Sequence, residues 1–394
     1  KFDAAELYAA ALLANAEFTP EKALALSEKY RNSRETLIML VDSSSIRENA
    51  AKILKRVRDG EADNRKSPKQ IADAIDWLSG DPTQRAVGLD RLQYAGEYAI
   101  PWVVDRLRDS SKKDLYPYIE RVLPKIGKGA VSPLVIALQI KEDSVRETLI
   151  DALGSLGYPQ ALPYLARIAQ DGKQTDSVRK TARESIQKIL KTDPALKEMP
   201  ASVGFLSLAE MYYTDTPSLR ANESEEMANV WTLKDNALVP IAIPRQIYNS
   251  VMCMRCCEDA LALQSDMLEA VALWSAANFR REAELGMNVQ SVEADPKALA
   301  DRTRSETYPR SLYFARSFGT RYALMTLARG IKDSDTPVAL GAVTALDGIA
   351  SVNAMVGPDE AKQPLVSALS FPDVLVRITA ALSLAKAMPP QNFQ

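Results

Sequence analysis

The stretch DSVRETLIDALGSLGYPQALPYLARIAQD, residues 143–171, decides the fold of this 394-residue chain. It contains Gly157, followed six residues later by Pro163. Glycine adopts the left-handed backbone conformation that ends many helices, and proline suits the first turn of a helix, where a missing N–H costs nothing. The stretch therefore predicts two helices joined by a short connection.

The same pattern occurs upstream, in residues 81–107 and 115–138. In each segment a glycine is followed five or six residues later by a proline; the three pairs are Gly96 and Pro101, Gly127 and Pro133, and Gly157 and Pro163. The glycines are 31 and 30 residues apart, and residues 333–350 and 372–388 repeat the theme. A period of this length indicates a repeat protein, in which each helical hairpin packs on its neighbours.

The first residues of the repeats carry a further pattern. One repeat opens with Asp143, Val145 and Arg146, and the next opens with Asp176, Val178 and Arg179. This pattern resembles the HEAT-repeat family in its short bacterial, armadillo-like form. The resemblance implies an all-α fold, a right-handed α-solenoid of HEAT-like helical hairpins. It also implies that acidic and basic residues tie neighbouring repeats together, here Asp143, Arg146, Asp176, Arg179, Asp373 and Arg377.

Residues 200–245 depart from the repeat pattern. Within them NVWTLKDNALVPIAIP, residues 229–244, places β-prone apolar residues on both sides of a Lys-Asp-Asn turn. We interpret this segment as a small β-hairpin or an extended insertion, and Pro240 would confine its second strand to a sheet edge. After Pro244 a helical hairpin resumes that is similar to a tetratricopeptide unit.

These patterns predict five segments along the chain. They are an N-terminal helical segment (1–66), a HEAT-like repeat array (67–199), the non-repeat insertion (200–245), helical hairpins similar to tetratricopeptide units (246–332) and C-terminal HEAT-like repeats (333–394). Two sets of repeats thus flank a region of different character.

The composition argues against most kinds of catalytic site. The chain contains no histidine, so it lacks the commonest general base and the commonest transition-metal ligand. Its sequence also lacks a glycine-rich loop of the kind that binds nucleotide phosphates. We therefore expect no enzyme activity, no catalytic residue and no cofactor.

The net charge and the hydropathy of the chain limit which kinds of partner and which cellular location we expect. A net charge of −2 is far from the basic balance of a dedicated nucleic-acid binder, so we do not expect nucleic acid as a partner. The sequence has no run of 18 apolar residues, which argues against a membrane span. We expect a soluble protein, either cytoplasmic or, if Lys1 follows a cleaved signal peptide, in the cell envelope.

All three cysteines lie in VMCMRCC, residues 251–257. Cys253 and Cys257 are four residues apart and share one face of the predicted helix, with Cys256 about 60° away. A structural zinc site needs four ligands, whereas this segment offers three thiols. Core packing is therefore our interpretation, and we expect no bound metal; a redox-sensitive thiol and a metal ligand are the alternatives.

Four aromatic residues near the insertion are the candidate partner-binding residues, because tyrosine and tryptophan dominate binding hot spots. They are Tyr212, Tyr213, Trp231 and Tyr248. Their alternative role is core packing. The acidic residues Glu223, Glu225 and Glu226 lie among them, which favours a basic or amphipathic partner segment.

The sequence therefore predicts a non-catalytic scaffold that binds a protein or peptide on a repeat surface. One alternative is a nucleic-acid-binding HEAT protein similar to the alkylated-base glycosylases of this fold. Another is a lyase or small-molecule binder similar to the HEAT-like phycobilin lyases. A basic stripe would favour nucleic acid, a neutral aromatic groove would favour a peptide, and a deep pocket would favour the lyase.

Overall fold

A computed structural model describes residues 2–30, 32–42, 46–223, 225–293, 299–349 and 363–386 of the chain. The chain divides into two compact units; unit 1 ends at Leu134 and unit 2 begins at Val135. Within the described residues the fold is all-α apart from one two-stranded sheet, as the sequence predicts.

Unit 1 consists of helices. They are α1 (Phe2–Ala14), α2 (Pro20–Lys29), α3 (Ser33–Val41), α4 (Arg47–Lys66), α5 (Pro68–Asp76), α6 (Pro82–Ala95), α7 (Ala99–Arg108) and α8 (Tyr116–Val122). Helix α4 packs on α1, α2 and α3, with Phe18, Ala23 and Val57 at the centre of their contact. The next helix along the chain is α9 (Val131–Ala137).

Unit 2 contains the remaining helices and the sheet. Its elements are α10 (Asp143–Leu156), α11 (Leu162–Gln170), α12 (Asp176–Leu190), α13 (Ala201–Tyr213), β1 (Met227–Lys234), β2 (Ala237–Pro244), α14 (Tyr248–Leu263), α15 (Leu268–Glu284), α16 (Ser311–Phe318), α17 (Thr320–Lys332), α18 (Thr336–Ile349), α19 (Pro364–Ser367) and α20 (Val374–Lys386). Most helices here pack on helices one or two positions away in the chain. Such neighbour contacts are what stacked hairpins require.

Two of the three glycines that mark the repeats, Gly96 and Gly157, end helices as predicted, whereas Gly127 directly precedes a short 3₁₀ helix. Gly157 caps α10 with a φ of +74°, and its N–H donates to the Leu153 carbonyl. Gly96 and Gly127 also have positive φ values, of +58° and +92°. Only glycine adopts such angles without steric cost, so these positions fix where each hairpin turns.

The predicted ties between repeats occur at one of the pairs. Arg146 pairs with Asp143 in its own helix and also donates to the Gln174 side chain at 2.6 Å, while Thr175 donates to Asp143 at 3.1 Å. These bonds join α10 to the residues that precede α12. Arg179, in contrast, pairs with Asp176 of its own first turn.

At the C-terminal repeat, the corresponding residues also act locally. Arg377 donates to the carbonyls of Phe371 and Pro372, and Asp373 accepts from the N–H groups that begin α20. Residues 350–362 and 387–394 of the predicted C-terminal repeats lie outside the described residues.

The insertion forms the predicted β-hairpin. Strands β1 and β2 pair antiparallel from Met227 opposite Pro244 to Lys234 opposite Ala237. Both turn residues, Asp235 and Asn236, have left-handed φ values, which is the geometry of a two-residue type I′ turn. The register also places Pro240 opposite Trp231 at an unpaired sheet edge.

A buried cluster of charged residues anchors the segment after α15. Glu282 is 1% exposed, lies 3.0 Å from the Arg310 guanidinium, and accepts from the backbone N–H and hydroxyl of Ser311 at 2.7 Å each. Beside it, Arg281 pairs with Asp301 at 2.6 Å. Arg310 also donates to backbone carbonyls of the connector, those of Asn288 and Glu293. These bonds hold the start of α16 against α15.

Among the described residues no helix combines the length and the apolar character that a membrane crossing requires.

Candidate functional site

The structure buries all four aromatic residues that the sequence singles out. Trp231 is 1% exposed and lies in the core of unit 2, where its backbone carbonyl accepts from Arg255 at 2.8 Å. Tyr212, Tyr213 and Tyr248 are also buried, and the rings of Tyr212 and Tyr248 meet edge to face at 6.3 Å. Such burial leaves the four side chains almost no surface for contact with a partner, which favours the packing role for Trp231.

Two of the tyrosines nevertheless reach a cavity. Tyr212 and Tyr213 line a polar space of about 370 Å³, which we call the tyrosine cavity. It lies where the end of α13, the segment between α13 and β1, the start of α14 and the end of α15 meet. The segment between α13 and β1 contributes Asp215, Arg220 and Glu223 to its walls.

A second concave site, with a different composition, lies elsewhere in unit 2. Its volume is about 360 Å³, and its walls are almost entirely apolar. We call it the aromatic groove; its lining residues are Glu258, Leu261, Val271, Trp274, Phe314, Phe318 and Tyr322.

Helical spacing explains how these side chains converge. Glu258 and Leu261 are three residues apart on α14, and Phe314 and Phe318 are four residues apart on α16, so each pair shares a helix face. Tyr322 follows on α17. Since α15 packs on α14, α16 and α17, its Trp274 lies at the centre of the groove.

The rings of the groove meet at angles rather than stacking face to face. The Trp274 ring lies 5.1 Å from the Phe314 ring and 5.6 Å from the Phe318 ring, both edge to face, and Phe318 meets Tyr322 at 6.4 Å. Edge-to-face pairs within this distance range stabilise one another and fix the orientation of the rings. The groove is therefore built of mutually supported aromatic walls.

One charged residue lines the groove, and it is acidic. Glu258 Oε1 accepts from the Trp274 indole at 3.0 Å and from Arg304 at 3.1 Å. The Arg304 guanidinium also lies 4.6 Å from the Tyr308 ring centroid, and Tyr308 contacts Phe314. The rim of the groove thus already holds a cation between a carboxylate and an aromatic face.

The sequence does not predict this groove. Phe314, Phe318 and Tyr322 recur every four residues, and this spacing was visible in the sequence. It did not show, however, that Trp274, 40 residues earlier, would complete the same surface. The position of Trp274 depends on how α15 packs, which no local pattern encodes.

The three cysteines lie on α14 and are fully buried. Burial raises the pKa of the Cys256 thiol and of the Cys257 thiol well above the usual range, so both remain protonated at neutral pH. Among the residues that the structure describes, no three cysteine, aspartate or glutamate side chains are grouped in a way that would hold a metal ion. The cysteines pack as small apolar side chains between α14 and its neighbours.

Comparison with known proteins identifies the repeats. No curated protein matches the chain in sequence. A family model described as HEAT repeats matches residues 98–187. That interval contains Gly127 and Gly157 and the linked residues Asp143 and Arg146. The predicted resemblance to HEAT repeats is thereby confirmed over residues 98–187.

Proposed function

We propose that the chain is a non-catalytic scaffold that binds a peptide segment of a partner protein in the aromatic groove. HEAT repeats generally mediate interactions between proteins, which supports the scaffold role. The observation that carries the proposal is the groove itself, whose lining is aromatic and aliphatic apart from Glu258. An aromatic surface suits a peptide, and the acidic Glu258 disfavours a phosphate backbone.

The chemistry of the groove also selects the kind of segment. Its volume is at the small end of the range of roughly 300–1,000 Å³ that is usual for binding pockets, so it accepts one or two side chains. Apolar side chains bury their surface against Val271 and the rings. Glu258 Oε2 accepts no hydrogen bond from a described residue, so the carboxylate can still take up a cation.

The partner segment therefore carries an apolar side chain followed or preceded by lysine or arginine. A cation over an aromatic face gains about 0.5–2 kcal/mol, and a neighbouring carboxylate adds a charge-assisted hydrogen bond. Arg304, held between Glu258 and Tyr308, is an intramolecular example of the same contact.

The test is a selection of displayed random peptides on the whole chain, followed by measurement of each dissociation constant with synthetic peptides. We expect the selected peptides to combine an apolar residue with lysine or arginine. Tyr322→Ala should weaken their binding at least tenfold, because it removes one aromatic wall. Tyr8→Ala is the matched control: Tyr8 is exposed on α1 and does not line the groove.

The cationic contact has its own test. Glu258→Gln should weaken peptides that contain lysine, but it should not weaken the same peptides with norleucine in place of lysine. Thermal melting of each variant checks that it is folded. If the substitutions of Tyr322 and Glu258 both leave the affinity of the selected peptides unchanged, the groove is not the binding site.

A further inference from the structure

The tyrosine cavity contains polar groups that the protein itself leaves without partners. Tyr213 is 3% exposed, and its hydroxyl makes no hydrogen bond with any described residue. Two guanidinium groups lie over its ring, that of Arg280 at 3.8 Å and that of Arg329 at 4.3 Å from the ring centroid. These contacts hold the ring in place, so its hydroxyl has little freedom to reach another partner.

Asn249 presents a second buried atom of this kind. Its side-chain N–H donates to Asp215 at 2.6 Å, whereas its Oδ1 is buried with no partner among the described residues. Buried polar atoms in native proteins are nearly always hydrogen-bonded, and exceptions need a physical reason. Both unpartnered atoms belong to residues that line the same cavity, which makes them candidates for contact with one ligand.

Of the arginines that line the cavity, one forms no ion pair with a described residue. Arg220 pairs with Asp215 at 2.6 Å, with Glu223 3.5 Å away, and Arg280 pairs with Asp335 at 2.7 Å. Arg245 lines the cavity, is exposed, and forms no ion pair with a described residue. Its guanidinium is therefore available to bind an anionic group. A carboxylate is one such group, because a guanidinium can donate two parallel hydrogen bonds to it.

One acidic group in the cavity is held partly neutral. Burial raises the pKa of the Glu284 carboxyl to about 7, although the hydrogen bond from Ser250 and the Arg280 charge lower it. At neutral pH this carboxyl repels an anion less than an ordinary glutamate does, and in its protonated form it donates a hydrogen bond.

We propose that the tyrosine cavity binds a small carboxylate that carries an N–H donor beside it. The carboxylate pairs with Arg245 and accepts from the Tyr213 hydroxyl, and the N–H donates to Asn249 Oδ1. The site is separate from the aromatic groove and goes beyond the peptide-binding function proposed for it. Two sources present this chemistry, a free N-acyl amino acid and the C-terminal residue of a polypeptide.

The experiment measures binding of defined probes to the full chain by calorimetry or ligand-observed magnetic resonance. N-acetylglycine carries both groups, N-acetylglycinamide lacks the carboxylate, and N-acetylsarcosine lacks the N–H. We expect N-acetylglycine to bind at least tenfold more tightly than either analogue. Pentaglycine with a free C-terminus, compared with its C-terminal amide, distinguishes the sources: binding of both N-acetylglycine and the free peptide identifies a polypeptide end, and binding of N-acetylglycine without the peptide identifies a free ligand.

Variants assign the contacts. Tyr213→Phe and Arg245→Gln should each weaken N-acetylglycine about tenfold, the effect expected for one lost hydrogen bond to a charged group. Asn249→Ala should abolish the preference over N-acetylsarcosine. Arg183→Gln is the matched control, because Arg183 is exposed on α12 and does not line the cavity. Melting curves confirm that each variant is folded.

The pH dependence of binding provides a further test of the proposal. Affinity for N-acetylglycine should fall several-fold between pH 6 and pH 8 as Glu284 ionises, and Glu284→Gln should remove that dependence. The groups that act on Glu284 are Ser250, Arg280, Asp335 and Asp215. Three results would overturn the proposal. They are equal affinity for N-acetylglycine and its amide, an affinity for N-acetylglycine that does not change when Tyr213 and Arg245 are substituted, and no binding of any probe to the folded chain.

Discussion

Two regions of unit 2 are built from helical hairpins but are stabilised in different ways. In α10 to α12 the helices meet through apolar residues, and Gly157 fixes the turn between α10 and α11. In α15 and α16 the helices are joined across a long connector by buried charges, with Glu282 at the centre. The first region depends on backbone geometry at its turn, whereas the second depends on ion pairs removed from water.

The two regions should therefore differ in the substitutions that they tolerate. The turn between two repeat helices needs one residue with unusual backbone angles, and the free-energy cost of replacing that residue is mainly conformational. A buried ion pair is held by the match between its partners, and loss of one partner leaves the other charged and unpaired. Substitutions should therefore be more damaging at the charged cluster than at the glycine turn.

The largest expected effect is at the charged cluster. Glu282→Ala should lower the free energy of unfolding by about 3–5 kcal/mol, because Arg310 would remain buried without its carboxylate. Chemical denaturation measures this change. Glu269→Ala on the same helix is the control, since Glu269 is exposed and its loss should change stability by less than ~0.5 kcal/mol. Equal effects at the two positions would contradict the role of the cluster.

An intermediate effect is expected at the repeat junction. Gly157→Val should cost about 2 kcal/mol, because a β-branched residue at a φ of +74° is strained and its Cβ would lie 3.2 Å from Thr192. Gly172→Val provides the comparison, since no atom lies within 4 Å of the position its Cβ would take and its φ is not positive. An unchanged melting temperature for Gly157→Val would refute the assigned helix cap.

The smallest expected effect concerns pH. The pKa of Glu284 is about 7 in the folded chain, against an ordinary value of 4.5, so the folded state binds more protons than the unfolded state between these values. Stability should therefore fall as pH rises from about 4.5 to about 7 and lose no more above it. Glu284→Gln removes this loss, so its melting temperature should gain a few degrees on the natural chain between pH 5 and pH 8.

Local signals made much of the fold predictable. Gly157, Pro163 and the Lys-Asp-Asn turn each act on the backbone within a few residues, and the structure confirms the helix cap and the β-hairpin that they predict. The family match over residues 98–187 likewise follows from these short-range patterns.

The candidate sites were less predictable because they depend on tertiary packing. The aromatic content near the insertion suggested a binding surface, but Trp231 is in the core. Trp274 and Phe314 form the aromatic groove only because α15 and α16 pack together. The Asp and Arg pattern of the repeats was similarly ambiguous: Arg146 reaches the next repeat, whereas Arg179 does not.

The two-residue turn of the β-hairpin has a consequence for the kinetics of folding. Since Lys234 pairs with Ala237, every contact between β1 and β2 is close in sequence, and such hairpins form in about 1–10 μs. An isolated hairpin of this size is at best marginally stable. We therefore expect it to form and melt repeatedly until α14 docks and Arg255 donates to the Trp231 carbonyl. The pairing of β1 with β2 thus adds little to the average sequence separation of contacts, which is the quantity that slows folding.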